Sequence, residues 1–171
     1  PGSIGVLVNH RNVEVEGIVF EGGSRAVRAE RADGLLIRRC TAVAQTSDAI
    51  TVIESGGVVI DSTAVISGGA RGMHLENTGD IYLRNNLVYD NAAWGIDLSG
   101  GDAGASRQIA FNTVAYNGWM SGGGIRVAAL AELRDSVIAF NDGVGLRVVT
   151  SESSIHHTNL FGSDVLLIPE G

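Results

Sequence analysis

Five residues of this chain have types and spacings that could do chemistry on one surface: His74, Glu76, Asp97, Arg126 and Arg147. His74 and Glu76 are two apart, which places both side chains on the same face of a β-strand. Asp97 follows His74 by 23 residues, Arg126 follows Asp97 by 29, and Arg147 follows Arg126 by 21. Each is the third letter of a short string: GMHL, GIDL, GIRV and GLRV. A histidine is the natural proton acceptor near neutral pH, and an aspartate beside it can orient the ring. An arginine fork neutralises a carboxylate. Together these suit removal of the proton α to a uronate carboxylate, the step of a polysaccharide lyase or a C5 epimerase. In that scheme His74 is the base, Asp97 orients it, Arg126 neutralises the substrate carboxylate and Arg147 binds the next sugar. In a hydrolytic variant Glu76 pairs with Asp97 at roughly 8 Å, within the range of inverting glycosidases. Trp94 and Trp119 fall in turns just before the same face, where they could flank the column and offer apolar surface to sugar rings. The plain alternative is a surface ion pair between Asp97 and Arg126, worth about 0–1 kcal/mol.

What must position these residues is a repeat. GVLV at 5–8, AVRA at 26–29, AITV at 49–52 and GMHL at 72–75 line up with GIDL at 95–98, GIRV at 124–127 and GLRV at 145–148. A partial copy, DVLL, stands at 164–167. The steps are 21, 23, 23, 23, 29, 21 and 19 residues. A short strand recurring at such a period means a solenoid. The outward column of these strands then reads Leu7, Arg28, Thr51, His74, Asp97, Arg126, Arg147, with each member roughly 4.8 Å from the next.

Within one copy, Met73 and Leu75 alternate with His74 and Glu76, so the apolar pair points inward. Asn77-Thr78-Gly79-Asp80 reads as a turn, Ile81-Tyr82-Leu83 as a second strand, and Leu87-Val88-Tyr89 as a third. Ile37, Ile60, Leu83, Ile109, Leu133 and Ile155 form one inner column, and Ala42, Val65, Val88, Val114, Ile138 and Leu160 another. Two turn columns accompany them: Thr63, Asn86, Asn112, Ser136, Thr158 and Gly68, Asn91, Asn117, Asn141, Ser163. Stacked asparagines can hydrogen-bond along a ladder, and asparagine also tolerates the left-handed backbone of a sharp turn. Cys40 falls in the first of these columns as a half-buried filler. The 29-residue step carries the one long insertion, read as a flexible loop over 99–107.

The strings IYLRNNLVYDN at 81–91, IAFNTVAYN at 109–117 and LRDSVIAFN at 133–141 resemble right-handed parallel β-helix repeats. The shared pattern is closed by Asn, and it runs from Gly5 to about Ser163. The resemblance implies an all-β, single-stranded right-handed parallel β-helix of about seven coils. The family includes pectate-lyase-like enzymes, alginate epimerases, phage tailspikes, periplasmic accessory proteins and bacterial surface proteins. GGGIRVAALAELRDSVIAFN is also similar to secreted bacterial surface proteins with GGGI-type repeats. A secreted, periplasmic or cell-surface location is therefore the expectation.

Composition narrows the partners. The chain of 171 residues carries Lys+Arg 12 against Asp+Glu 19, a net charge of −7, and no basic block, which argues against nucleic acid. No long apolar run is present to span a membrane. A single cysteine allows no intrachain disulfide, and no Cys/His spacing signals a metal site. Asp90, Asp97 and Asp102 near the insertion offer oxygen ligands that could suit Ca²⁺. His156-His157 lacks further ligands. The reading is one domain over 1–171, a fragment of a longer chain, whose uncapped ends would associate end to end or continue into flanking domains. Its expected role is a structural and polysaccharide-binding module for an acidic glycan. The alternative is a lyase, epimerase or glycoside hydrolase on the same face. A short rod, few aromatics and the lack of a named catalytic motif favour the first.

Overall fold

The computed structural model describes residues 2–167. Among them are twenty-two short strands and no helix. They form three parallel sheets of eight, seven and seven strands, and each strand pairs with its equivalent one coil away. One coil runs through Met73–Glu76 in the first sheet, Ile81–Arg84 in the second and Leu87–Tyr89 in the third. The result is a single-stranded parallel β-helix of about seven coils, as the period requires. The partial copy at 164–167 forms the strand Asp164–Leu167, and Ile168 lies outside the described residues.

Both inner columns stack in the expected register. Ile37, Ile60, Leu83 and Ile109 pair in succession and each is 0 % exposed. Val65, Val88 and Val114 do the same in the third sheet. The core is therefore a continuous aliphatic stack, closed on every side by sheet. The recurring glycine before the first strand is a packing requirement of that stack. A Cβ at Gly72 would lie 2.7 Å from Val88 Cγ1, and one at Gly95 2.6 Å from Val114 Cγ1.

The corners between second and third strands, and after the third, are settled by side chains. Asn86 Oδ1 accepts from the Thr63 amide at 3.0 Å, and Asn112 Oδ1 accepts from both the Asn86 amide and Nδ2 at 3.0 Å. Asn91, Asn117 and Asn141 repeat this along the other corner. These asparagines are buried. Cys40 extends the first ladder through its amide, donated to Thr63 Oγ1 at 3.4 Å. It is fully buried rather than half-buried, because the neighbouring coils cover it on both sides.

The left-handed residue is not the ladder asparagine. It is the residue before it: Arg39, Ser62, Asn85, Phe111, Asp135 and His157 at one corner, and Ala44, Ser67, Asp90, Tyr116 and Phe140 at the other. Their φ values lie between 45° and 59°. That conformation costs an ordinary L-residue on the order of 1 kcal/mol. The side chain of the left-handed residue points to solvent, while the next residue turns its amide group inward to form the ladder. Exposed aromatics occupy two of these positions, Tyr116 and Phe140, whose rings stack with centroids 5.4 Å apart, and Tyr89 from the coil before packs on Tyr116 at 5.3 Å.

The long insertion is divided between two corners. Leu83 pairs with Ile109 and Val88 with Val114, a step of 26 residues, before the first-sheet step reaches 29 at Asp97 and Arg126. Three extra residues thus lie between the first and second sheets, and three more between the third and first. The two inserts stand at opposite edges of the first sheet.

Asn117 bonds at every polar atom it buries: to the Asn91 amide and Nδ2, to the Val88 and Ala115 carbonyls, and to Asn141. Asn117→Ala should cost about 3 kcal/mol in urea denaturation, since it strands several buried groups at 1–3 kcal/mol each. Exposed Asn85→Ala should cost well under half of that. Equal losses at the two positions would show that the ladder does not carry the corner.

Candidate functional site

The first sheet brings the outward column into register as expected. Thr51, His74, Asp97, Arg126 and Arg147 pair in succession, preceded by Leu7 and Arg28. A second column lies beside it. Asp48, Arg71 and Trp94 stand two residues before the paired Ile50, Met73 and Ile96, in the turn that feeds each strand. Their side chains reach across to the next coil.

This second column changes the site. Arg71 grips Asp48 with two bonds, Nε to Oδ1 at 3.1 Å and Nη2 to Oδ2 at 2.9 Å, and its backbone amide adds a third at 3.1 Å. Its remaining amino group donates to Asp97 Oδ2 at 3.0 Å. Arg126 donates to Asp97 Oδ1 at 3.1 Å from the opposite side. A chain Asp48–Arg71–Asp97–Arg126 thus crosses four coils. Asp97 is 2 % exposed although it points outward, because the two arginines close over it.

His74 lies between carboxylates other than the one expected. Its Nδ1 is 3.6 Å from Asp48 Oδ2 and its Nε2 is 3.7 Å from Glu76 Oε2. Both contacts exceed hydrogen-bond length. No hydrogen bond or ion pair joins His74 to Asp97 among the described residues, because Asp97 turns to its arginines. The ring is 10 % exposed, whereas Glu76 is half-exposed.

Burial pushes the Asp48 carboxyl up, but the proximity of His74 and the hydrogen bonds and charge of Arg71 outweigh it, and the group is held well below the usual carboxylate range. Of these partners Arg71 is the closer in space. Burial likewise pulls Arg71 down, and Asp48 and Asp97 more than restore it, so the guanidinium ends above its ordinary value. Charge-assisted bonds in a partly dry site are roughly twice as strong as neutral ones.

The other expected residues sit at the margins. Arg147 is half-buried, pairs in register with Arg126, and has no carboxylate partner among the described residues; its Nε is buried without an acceptor. Trp94 is half-buried against the turn at Gly122, where a Cβ would come within 2.9 Å of its Cδ1. Trp119 and Met120 stand exposed on the insert that precedes strand Gly123–Ala128. Asp90, Asp97 and Asp102 are not brought together. Asp90 bonds Ser67 at the corner after the third sheet, and Asp102 lies in the insert after the first. Among the described residues no three His, Cys, Asp or Glu side chains cluster as a metal site. His156 and His157 are both exposed, with His157 facing Asp135 at 3.7 Å.

Asp48 and Arg71 are the residues that sequence reasoning missed. The signal was available, since Asp48, Arg71 and Trp94 recur at 23-residue steps, three places before Thr51, His74 and Asp97. They fall in a turn, where period-2 alternation does not apply.

A family model described as a right-handed beta helix region matches residues 4–161. No curated protein and no solved structure matches the chain. No helix among the described residues is long and apolar enough to cross a membrane, which says nothing of a β-barrel.

Because Asp48 ionises more readily folded than unfolded, its contribution to stability is full above its ordinary value of 3.8 and is lost as pH falls further toward its folded value. Asp48→Asn should lower stability at neutral pH by about 3 kcal/mol, the scale of breaking a buried pair. It should also flatten the fall in stability below about pH 4. Denaturant midpoints at neutral and acid pH would check this, and parallel profiles for the two proteins would refute it.

Proposed function

The chain belongs to the right-handed β-helix family, and on that premise we propose that its first-sheet outer face binds an acidic polysaccharide, as the recognition surface of a secreted or cell-surface module. The observation that carries this reading is the stacked pair Arg126 and Arg147 on adjacent coils. Arg147 has no carboxylate partner among the described residues, and Arg126 meets Asp97 through Nη1 alone, so most of both forks is free for an incoming anion. In-register coils are about 4.8 Å apart, so two arginines present charge at the short, regular interval a chain of uronates requires. Arg25 adds a further cation to this face on a protein of net charge −7, whereas Arg28 is paired with Glu30 and Arg71 with Asp48 and Asp97.

The inserts suit such a ligand. They rise at opposite edges of the first sheet beside Asp97 and Arg126, and one of them carries the exposed Trp119. Trp94, next to Arg71 in its column, supplies apolar surface at the same edge.

Binding fits the charges better than turnover does. Both oxygens of Asp97 are occupied by arginine, leaving no free acceptor to activate a water with Glu76. His74 would need to be uncovered to take a proton from a sugar carbon. Asp97 acts instead as the fixed anion that holds Arg126 in place, and a held guanidinium loses less entropy on gripping a carboxylate.

Calorimetric titration with oligogalacturonate and alginate oligomers tests the reading. Arg147→Gln and Arg126→Ala should each weaken binding about tenfold, the scale of one charge-assisted contact, and added salt should weaken it further. Unaltered affinity in both variants, or no binding of any acidic oligosaccharide, would remove this face from consideration. Unsaturated-uronate absorbance on incubation with the polymers would establish an enzyme instead.

A further inference from the structure

Arg107 stands where the aliphatic core would not be expected to hold a charge. In the second sheet it pairs with Ile81, which pairs with Val58, and both of those are 0 % exposed. Arg107 itself is 3 % exposed. Its polar partners among the described residues are carbonyls, not carboxylates. Nη2 donates to Thr78 O at 2.7 Å and Asp102 O at 2.8 Å, and Nη1 donates to Leu130 O at 3.3 Å. These carbonyls belong to the same corner in three successive coils, so the guanidinium ties the insert to its neighbours above and below. Two N–H groups remain unused, one on Nη1 and the one on Nε, which is buried without an acceptor. Burial pulls the group below its ordinary value, and the nearby Asp102 and Asp80 only partly offset this.

The wider coil leaves a cavity of about 350 Å³ at this corner, with Arg107 in its wall. Ala128, Ala129 and Leu130 make its apolar side, and the exposed Ser151 and Glu152 its outer side. Gly101 closes over the guanidinium. Its φ is 97°, and a Cβ there would lie 2.5 Å from Arg107 Nη2, so only glycine allows the approach. A buried cation short of a counter-ion, beside a small and mostly apolar cavity, selects for a ligand with one negative charge and a compact carbon body.

We infer that this corner cavity binds a small carboxylate, its charge taken by the unused Nη1 N–H of Arg107 and its short apolar body by Ala128, Ala129 and Leu130. The site adjoins the first-sheet face, since Ala128 lies two residues beyond Arg126 on the same strand, but its anion contact is Arg107 and it does not depend on the reading of that face. Among the described residues Glu152 is the one carboxylate in the wall, and it weakens binding of an anion from its exposed position. The carboxylate could arrive as a free short-chain acid or as part of a sugar acid, and the chemistry at Arg107 is the same.

Side-chain and amide NMR on the whole chain tests this with propionate and methyl galacturonide as probes. The Arg107 Nε–Hε and Gly101 amide signals should shift and saturate with at least one of them, and not with chloride at equal ionic strength. Tighter propionate binding would mark a free acid, and tighter uronide binding a sugar-borne one. Ser151→Phe, at an exposed position that leaves Arg107 in place, should fill the cavity and abolish the shift. Glu152→Gln should tighten binding about threefold, the scale of one exposed charge. Absence of saturation with both probes, the same shift with chloride, persistence of the shift in Ser151→Phe, or unchanged affinity in Glu152→Gln would overturn the assignment.

Discussion

Each corner of a stacked coil leaves backbone amides pointing along the helix axis with no strand to receive them, and buried asparagine side chains are what receive them. Asn86 and Asn112 at one corner, and Asn91, Asn117 and Asn141 at the other, bind the amide of the coil below and the carbonyls on either side. The rest of the molecule depends on this. A buried amide without a partner costs about 1–3 kcal/mol, and a slip would leave several unpaired at once, so the ladder holds every coil in the same register. Register in turn sends one residue of each pair outward and the next inward. The aliphatic columns and the charged column on the first sheet are two consequences of a single constraint. The left-handed residues before the asparagines carry its strain, and their exposed side chains are free to vary, from Ala44 to Tyr116.

On the first sheet the same register creates an electrostatic problem. Asp48 and Asp97 stand two coils apart and both are nearly buried, where an unpaired carboxylate is costly. Arg71 resolves it by standing between them, and Arg126 completes the neutralisation of Asp97. A face built this way is rigid and largely spent on itself toward Asp48. It opens toward Arg147, where among the described residues the cations outnumber their partners. That gradient along one sheet separates a structural ion network from a surface able to receive an anion, and it explains why a histidine flanked by acids here looks more like a packed member of the network than a base awaiting substrate.

The inserts show how a solenoid gains features without losing its ladder. Splitting six residues between two corners lets each coil return to register within one turn, since neither insert interrupts a strand. One insert presents Trp119 to solvent. The other draws Arg107 into the core line and opens a cavity over it. Local chemistry is added at the corners, and the stack absorbs the change.

Much of this was legible in the sequence. A 23-residue period with alternating apolar positions identified the coils, both inner columns and the order Thr51, His74, Asp97, Arg126, Arg147, because alternation and spacing are properties of the chain read in one direction. The glycines before the first strands were visible too, though only the approach of Val88 and Val114 explains them. Three things were not legible. The left-handed residue is set by which amide must face the ladder, so asparagine content pointed to the wrong member of each pair. The partner of Asp97 is set by how far a long arginine in a turn can reach into the next coil, so Arg71 displaced His74 from that role. The division of the insertion is set by where the core can tolerate a wider corner. Order along the chain determined the fold and its faces, while the pairing of charges across coils, which decides what those faces can bind, existed only once the coils were stacked.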